Sequence, residues 1–206
     1  MARILEIHPL NPQERLVQQV VDTLESGGLV AYPTDSGYAL GCKLGNASGV
    51  ERIRRIRQLD DKHHFTLVCS TFAQLGQFVH IDNAVFRTLK AATPGPYTFI
   101  LPTTKEVPKR LMHPKKNTVG VRLPEHKVVA AILDAVGEPL LSSTLILPGE
   151  SEAMTSAWEV QEAIGNDVEV IVDAGEVIPE PTTVVSFVEG QAEVLRVGAG
   201  DTALFE

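Results

Sequence analysis

The chain has 206 residues, of which 44% are hydrophobic and 21% charged, and its formal net charge is −8. This composition is that of an ordinary globular protein, and the length predicts a single domain over residues 1–206. No apolar run approaches the ~18 residues of a membrane span, and the opening residues lack a secretory signal, so we expect a cytoplasmic protein without a membrane partner. Cys42 and Cys69 form no CxxC pair, which argues against a zinc site and against a disulfide.

The charge is distributed unevenly along the chain. Residues 1–122 contain 16 Lys and Arg against 10 Asp and Glu, whereas residues 123–206 contain 2 against 16. This asymmetry is compatible with a basic concave surface that concentrates phosphate-bearing ligands. It is equally compatible with an acidic half that only keeps the protein soluble.

The first part of the chain predicts alternating helices and strands. Asn11, Pro12 and Glu14 have the pattern of an N-cap, a first-turn proline and a capping-box partner, which predicts a helix that ends at Gly27-Gly28. Strands are predicted at 29–32 and 38–44, on either side of a polar segment. A helix beginning near Ser48 buries its apolar positions and leaves a basic outer face made of Arg52, Arg54, Arg55 and Arg57.

The remainder continues the alternation. A strand is predicted at 65–69, followed by helices with Thr71 and Asp82 as N-caps. Strands at 97–101 and 118–123 flank a basic loop that contains Lys105, Lys109, Arg110, Lys115 and Lys116. A helix at 126–136, a strand at 139–142, a helix at 155–164, a strand at 168–172 and a terminal hairpin follow. The order predicts a mixed sheet flanked by helices.

The segment AYPTDSGYALGC, residues 31–42, raises the question of function. It could be a tight turn in which Asp35 and Ser36 bond the local backbone and Gly37 supplies an unusual dihedral angle. Alternatively, the hydroxyls of Thr34, Ser36 and Tyr38 alternate along the chain and could line a pocket from one side of an extended segment.

Several familiar signatures are missing from the sequence. There is no GxxxxGK[ST] loop, and the VGAG near the C-terminus precedes no predicted helix, so neither a P-loop enzyme nor a dinucleotide-binding dehydrogenase is indicated. HExxH and GxSxG are absent too. His63 and His64 are adjacent, and such a pair is more often made of exposed loop residues than of ligand contacts.

Four motifs resemble the YrdC/YciO family of threonylcarbamoyl-AMP synthases. PTDSGYALGC is similar to the family's PTDTVYGLGC, PGPYTFIL to PGPLTLVL, TVGVRLPEH to TVAVRVPDH, and VLRVGAG to ILRPGA. The similarity covers most of the chain. It implies an α+β fold with a twisted sheet and a large, basic concave surface.

The resemblance also implies a reaction. Threonine combines with bicarbonate, the N-carboxylate is adenylated at the α-phosphate of ATP, and pyrophosphate leaves, with Mg²⁺ accompanying the nucleotide as part of the substrate. The product is the precursor of a modified adenosine in tRNA. Such chemistry depends on positioning and charge neutralisation, which hydroxyls and arginines can supply without a dedicated nucleophile or a tightly bound cofactor.

The resemblance assigns roles by position. Thr34, Ser36, Tyr38 and Arg122 would bind the amino-acid substrate, with Arg122 as a bidentate fork for a carboxylate or phosphate. The nucleotide contacts would be Arg57, Lys62, Ser142, Thr144 and Arg196. Without this resemblance, the simplest interpretation of Arg122 is that it forms a surface ion pair.

The chain departs from the family pattern at two segments. Where the family has KGRP, this chain has RQLDDKHHF, which puts Arg57 at the lysine position and Leu59 at the arginine position. Where the family has SANxSG, it has SSTLILPG, so Thr144 replaces an asparagine whose amide offers both donor and acceptor. Cys69 stands near a position where the family often has histidine, and a buried Cys is usually a core residue. Two altered contacts predict at most weak synthase activity.

Two functions therefore remain open from the sequence. One is an ATP-binding enzyme with weak threonylcarbamoyl-AMP synthase activity or related chemistry. The other is a non-catalytic module that grips the phosphates of double-stranded RNA or tRNA through Arg52, Arg54, Arg55, Arg57, Lys109, Arg110, Lys115 and Lys116. The oligomeric state is left open.

Overall fold

The computed structural model describes residues 1–60, 63, 65–112 and 117–205, and within them the strands form one ten-stranded sheet. The strands are β1 (Arg3–Glu6), β2 (Val30–Thr34), β3 (Gly37–Lys43), β4 (Thr66–Val68), β5 (Tyr97–Pro102), β6 (Thr118–Arg122), β7 (Leu140–Thr144), β8 (Val170–Asp173), β9 (Thr183–Ser186) and β10 (Glu193–Arg196). The helices are α1 (Glu14–Glu25), α2 (Ala47–Arg57), α3 (Phe72–Leu75), α4 (Asn83–Ala92), α5 (Lys127–Val136) and α6 (Ala157–Ile164).

The sheet is mixed, as the sequence predicted. Its strand order is β1-β8-β2-β3-β7-β4-β6-β5-β9-β10. It contains both parallel pairs, such as β4 with β6, and antiparallel pairs, such as β2 with β3. The terminal hairpin is confirmed, because β9 and β10 pair antiparallel.

One face of the sheet carries the main hydrophobic core. Strand residues such as Leu40, Leu67 and Phe99 pack there with side chains from α2, α3, α4 and α6. Because neighbouring residues of a strand point to opposite faces, every second residue of these strands faces the other way.

Among the residues that the structure describes, helices cover only part of the opposite face. Helices α1 and α5 pack on it near β1, β8, β2 and β3 and form a second core with Val30, Tyr32 and Leu140. Beyond them, strands β4, β5, β6, β7, β9 and β10 carry the floor of an open cleft. The fold thereby leaves part of this face open to a ligand.

Some local predictions need correction. Helix α1 begins at Glu14 with Gln13 as its N-cap rather than Asn11, because the amides of Leu16 and Val17 bond the Gln13 carbonyl. The predicted caps of α3 and α4 are confirmed: α3 begins after Thr71, and the Asp82 carboxylate accepts from the amides of Ala84 and Val85, both at 2.8 Å. In the described ranges, no helix is long and apolar enough to cross a bilayer.

Candidate functional site

The cleft has a volume of about 320 Å³ and is rich in guanidinium and hydroxyl groups. Its size is within the range of small-molecule sites. Its polar lining is Thr34, Arg57, His63, Thr66, Thr98, Arg122, Ser142, Ser143, Thr144, Thr182 and Arg196. Among the residues that the structure describes, no Asp or Glu lines it, so its field favours an anion.

The β2–β3 turn closes one end of the cleft with a self-contained hydrogen-bond network. The Thr34 hydroxyl donates to the Gly37 carbonyl at 2.7 Å and accepts from the Ser36 amide at 3.1 Å. The Ser36 hydroxyl lies 3.3 Å from that of Thr34 and accepts from Nη1 of Arg122 at 2.9 Å. Both hydroxyls are thus already engaged in holding the turn.

Arg122 is buried, with 5% of its surface exposed. Its Nη2 forms an ion pair with Asp35 Oδ1, and the other oxygen of Asp35 accepts from the Glu125 amide at 3.0 Å. The two Nη atoms therefore hold the turn, whereas the buried Nε has no hydrogen-bond partner in the described part of the chain. This geometry does not leave Arg122 free as the bidentate fork of the prediction.

Tyr38 does not reach the cleft, so the prediction that Thr34, Ser36 and Tyr38 share one side was wrong for it. The chain reverses between Thr34 and Gly37, which are paired across the hairpin, and this reversal breaks the simple alternation. The Tyr38 ring is fully buried in the main core, and its hydroxyl donates to the Val172 carbonyl at 2.9 Å. Burial raises the pKa of this phenol well above its ordinary value.

Arg57 reaches the cleft from the last turn of α2, not the outer face that was predicted. Its Nε donates to the Ile146 carbonyl at 3.1 Å and its Nη1 to the Ser143 hydroxyl at 2.5 Å. The Ser143 hydroxyl also lies 3.4 Å from Nε2 of His63. Burial lowers the pKa of Arg57, and within the described ranges no carboxylate forms an ion pair with it.

Ser142 and Thr144 line the cleft from β7. The Ser142 hydroxyl lies 2.6 Å from the Tyr32 hydroxyl and donates to the Leu40 carbonyl at 3.0 Å, so it ties the cleft to the second core. Burial raises the pKa of Tyr32 to about 12. Thr144 is half-buried and faces the cleft. Its hydroxyl bonds no group in the described part of the chain, so it can serve a ligand.

Arg196 stands at the far end of the cleft, on the edge strand β10. Its Nε and Nη2 donate to the Thr182 carbonyl at 3.2 and 2.9 Å, and Thr182 in turn bonds Thr98 at 2.8 Å. No carboxylate pairs with Arg196 within the ranges described. Within the described part of the chain, the cleft thus has an arginine without a carboxylate partner at each end.

Of the predicted RNA-binding set, Arg57 alone lines the cleft among the residues that the structure describes. Arg52 and Arg55 form ion pairs with Glu169 and Asp167, and Arg54 lies over the Phe65 ring at 5.1 Å. Lys109 is exposed in a short 3₁₀ turn, and none of these four lines the cleft. Lys62, Lys115, Lys116 and the side chain of Arg110 lie outside the described residues.

Two other expectations concern metal and cysteine chemistry. Within the ranges described, no group of three or more His, Cys, Asp or Glu side chains is placed to hold a metal ion. Cys69 is fully buried in the main core, where burial raises the pKa of its thiol, and its sulfur lies 3.6 Å from the Arg122 carbonyl.

A larger depression of about 680 Å³ lies elsewhere, beside β1 and the end of α1. It is a shallow groove to which Asp22 and Glu169 contribute carboxylates. The smaller cleft on the sheet is the better candidate, because the arginines converge there.

Sequence reasoning missed several residues of the cleft. Ser143, Thr66, Thr98, Gly120 and Thr182 were not singled out, although alternation in β4, β5 and β6 could have placed three of them opposite the core residues. Ser143 could not be found in this way, because it lies between Ser142 and Thr144 on β7 and its link to the cleft includes a bond from Arg57 of α2.

Comparison with known proteins identifies relatives of the whole chain. A family model for Sua5, YciO and YrdC, described as "Telomere recombination", matches residues 22–198. The protein named "Uncharacterized protein YciO" from Escherichia coli (strain K12) is 44% identical over 205 residues, which is 100% of both chains. The crystal structure of E. coli YciO has a TM-score of 0.95 to this chain and covers 100% of both.

Two further relatives have names that specify an activity or a ligand. A threonylcarbamoyl-AMP synthase from Vibrio vulnificus (strain YJ016) is 32% identical over 158 residues, 75% of this chain and 84% of the relative. The crystal structure of P. abyssi Sua5 complexed with L-threonine has a TM-score of 0.87 at 26% identity. It covers 96% of this chain, which spans 58% of the Sua5 chain.

Proposed function

Because the chain belongs to the Sua5/YciO/YrdC family, we propose that its open cleft binds ATP and threonine in the cytoplasm and supports weak threonylcarbamoyl-AMP synthesis. The family includes threonylcarbamoyl-AMP synthases, whose product serves tRNA modification. ATP would enter with Mg²⁺ as a substrate, together with threonine and bicarbonate.

The observation that carries this proposal is the charge state of the cleft. Arg57 and Arg196 face it without a carboxylate partner in the described ranges, and Arg57 is half-buried. A guanidinium removed from water without a counter-ion is costly, and an anionic ligand offsets that cost. Two such groups at opposite ends suit a ligand with more than one anionic group, such as a nucleoside triphosphate beside an amino-acid carboxylate.

The chemistry requires positioning rather than a protein nucleophile. The threonine amine and bicarbonate give an N-carboxylate and water, and a carboxylate oxygen of that adduct then attacks the α-phosphorus while the bond to pyrophosphate breaks. Developing negative charge on the phosphoryl oxygens is stabilised by fixed cations. Arg57 and Arg196 are the groups we assign to this role, with Thr144 donating its hydroxyl to the bound nucleotide.

The same geometry supports a low rate of threonylcarbamoyl-AMP synthesis. Leu59, at the position where the family has arginine, is half-buried and packs on the main core instead of facing a ligand. Arg57 already gives two donors to Ile146 and Ser143. The loss of one charged contact costs roughly a hundred-fold to a thousand-fold in rate.

The test is formation of the AMP adduct and of pyrophosphate from ATP, Mg²⁺, threonine and bicarbonate, with each component omitted in turn. A family member that has the KGRP and SAN segments is the positive control. Product that depends on both threonine and bicarbonate, at a small fraction of the control rate, is the expected result. No product above background overturns the synthase proposal.

Binding of double-stranded RNA or tRNA is the alternative outcome. It would use the arginines of the same cleft, and its affinity would fall steeply with salt because binding releases counterions. A filter-binding titration at several salt concentrations, run on protein that shows no synthase product, distinguishes this outcome.

A further inference from the structure

Thr66 lies on the floor of the cleft and has no role in the function proposed above. In β4 it is opposite Gly120 of β6 on one side and Ser142 of β7 on the other. It is half-buried, and its hydroxyl has no hydrogen-bond partner within the described ranges. The hydroxyls of Thr34, Thr98 and Ser142, by contrast, are engaged by protein groups.

Gly120 provides the room that Thr66 occupies. A Cβ at position 120 would lie 2.9 Å from the Thr66 hydroxyl oxygen and 3.5 Å from Cγ2 of Thr98. That first distance is too short for a non-bonded contact, so any side chain at 120 would displace the Thr66 hydroxyl. The missing side chain therefore leaves this hydroxyl the space that it occupies.

The surroundings of Thr66 make its hydroxyl a recognition point. Part of the floor around it is apolar, with Val68 on the same strand and Ile100 and Val184 on the strands beyond Gly120. A partly desolvated hydroxyl without a partner costs free energy, which a matching ligand group recovers. A site built to bond a ligand hydroxyl discriminates against an analogue that lacks it more strongly than an apolar site can.

We propose that Thr66 is a specificity-determining residue that hydrogen-bonds a hydroxyl group of the bound ligand, with Gly120 leaving the space for it. The inference rests on the proposed function, because both ligands named there carry hydroxyls. The hydroxyl could belong to the ribose of ATP or to the side chain of threonine, and paired analogues distinguish these two sources.

The experiment measures binding by calorimetry to the full chain. The nucleotide arm compares Mg·ATP with its 2′-deoxy and 3′-deoxy analogues, and the amino-acid arm compares L-threonine with L-2-aminobutyrate. In the unsubstituted protein, one analogue is expected to bind about tenfold more weakly than its parent, the effect of one lost hydrogen bond. In Thr66→Val, the preference for the parent ligand over this analogue, measured as the ratio of their affinities, falls below about twofold, while the analogue itself binds as before.

Matched variants keep this result interpretable. Thr66→Ser retains the hydroxyl and is expected to keep the preference, and Thr88→Val, on α4 away from the cleft, controls for the loss of a threonine hydroxyl elsewhere. A preference that persists in Thr66→Val, or an unsubstituted protein that binds ligands and analogues equally, overturns the role of Thr66 and leaves the proposed function intact. A protein that binds neither Mg·ATP nor threonine overturns both.

A Gly120→Ala variant tests the second half of the inference. Because its Cβ would displace the Thr66 hydroxyl, it is expected to lose the same preference as Thr66→Val. In a Thr66→Ala background, adding Gly120→Ala should change binding by less than about twofold, since the hydroxyl it displaces is already gone. Independent effects of the two substitutions would contradict the coupling.

Discussion

Removal of the Asp35 carboxylate is the sharpest test of the network that closes the cleft. In Asp35→Ala, Arg122 keeps its charge but loses its counter-ion, and the Glu125 amide loses its acceptor. The two side chains are 7% and 14% exposed, so water replaces the lost partner poorly. Leaving a buried charge unpaired costs about 3–5 kcal/mol, which corresponds to a fall of roughly 10 °C in Tm for a chain of this size.

The assay is urea and thermal unfolding followed by far-ultraviolet circular dichroism. Arg55→Ala is the matched control, because it breaks an ion pair whose side chains are 68% and 41% exposed and should cost less than about 1 kcal/mol. The double variant Asp35→Ala/Arg122→Met should be more stable than Asp35→Ala alone, since it removes the stranded charge. A loss for Asp35→Ala no larger than that for Arg55→Ala would refute the reasoning.

Three further predictions address the cleft and its supports. Arg57→Met should weaken Mg·ATP binding by about 10- to 100-fold in calorimetry and change the free energy of unfolding by less than about 1 kcal/mol, because the lost bonds to Ile146 and Ser143 are offset by removal of a half-buried charge that has no carboxylate partner among the described residues. A loss of more than about 2 kcal/mol would contradict this. Gly37→Ala should lower the free energy of unfolding by more than about 2 kcal/mol in urea, since φ is +96° and the new Cβ would meet that of Ala153. Gly27→Ala is the control: φ is +81° there but the space is open, so the loss should be about 1 kcal/mol. Equal losses would argue against the packing explanation. Folding raises the pKa of Tyr32 from 10.0 to about 12, so the unfolded chain loses this proton at a lower pH than the folded protein does. The contribution of Tyr32 to stability is therefore present below pH 10 and is lost as the pH rises towards 12. The difference in unfolding free energy between the unsubstituted protein and Tyr32→Phe should therefore shrink over that interval, and a constant difference would rule the argument out.

Local patterns in the sequence predicted most of the sheet but missed its first strand. The apolar runs around the β2–β3 turn and the terminal hairpin are short-range signals, and both were interpreted correctly. Strand β1 has four residues and pairs in parallel with β8, which lies far away in the sequence, so no turn signal marks it. A short edge strand held by a distant partner carries little information of its own.

The site was harder to predict because its contacts are long-range. Arg57 bonds Ser143 and Ile146, and Arg52 and Arg55 meet Glu169 and Asp167 more than a hundred residues further along the chain. Helical periodicity placed all of these arginines on one outer face and could not say which would meet an acidic group. Alternation in the strands would have identified Thr66 and Thr98, had it been read against the buried residues beside them.

The position of the cleft on the sheet has a consequence for hydrogen exchange. Three of its floor strands, β4, β6 and β7, each have a neighbour on both sides, and their opposite face carries the fully buried Leu67, Val121 and Leu141. Amides of these three strands should then open only with the global unfolding of the protein and exchange as slowly as any in the molecule. A ligand would meet a surface that is already formed, so the slowing of exchange caused by binding should appear in segments outside these strands.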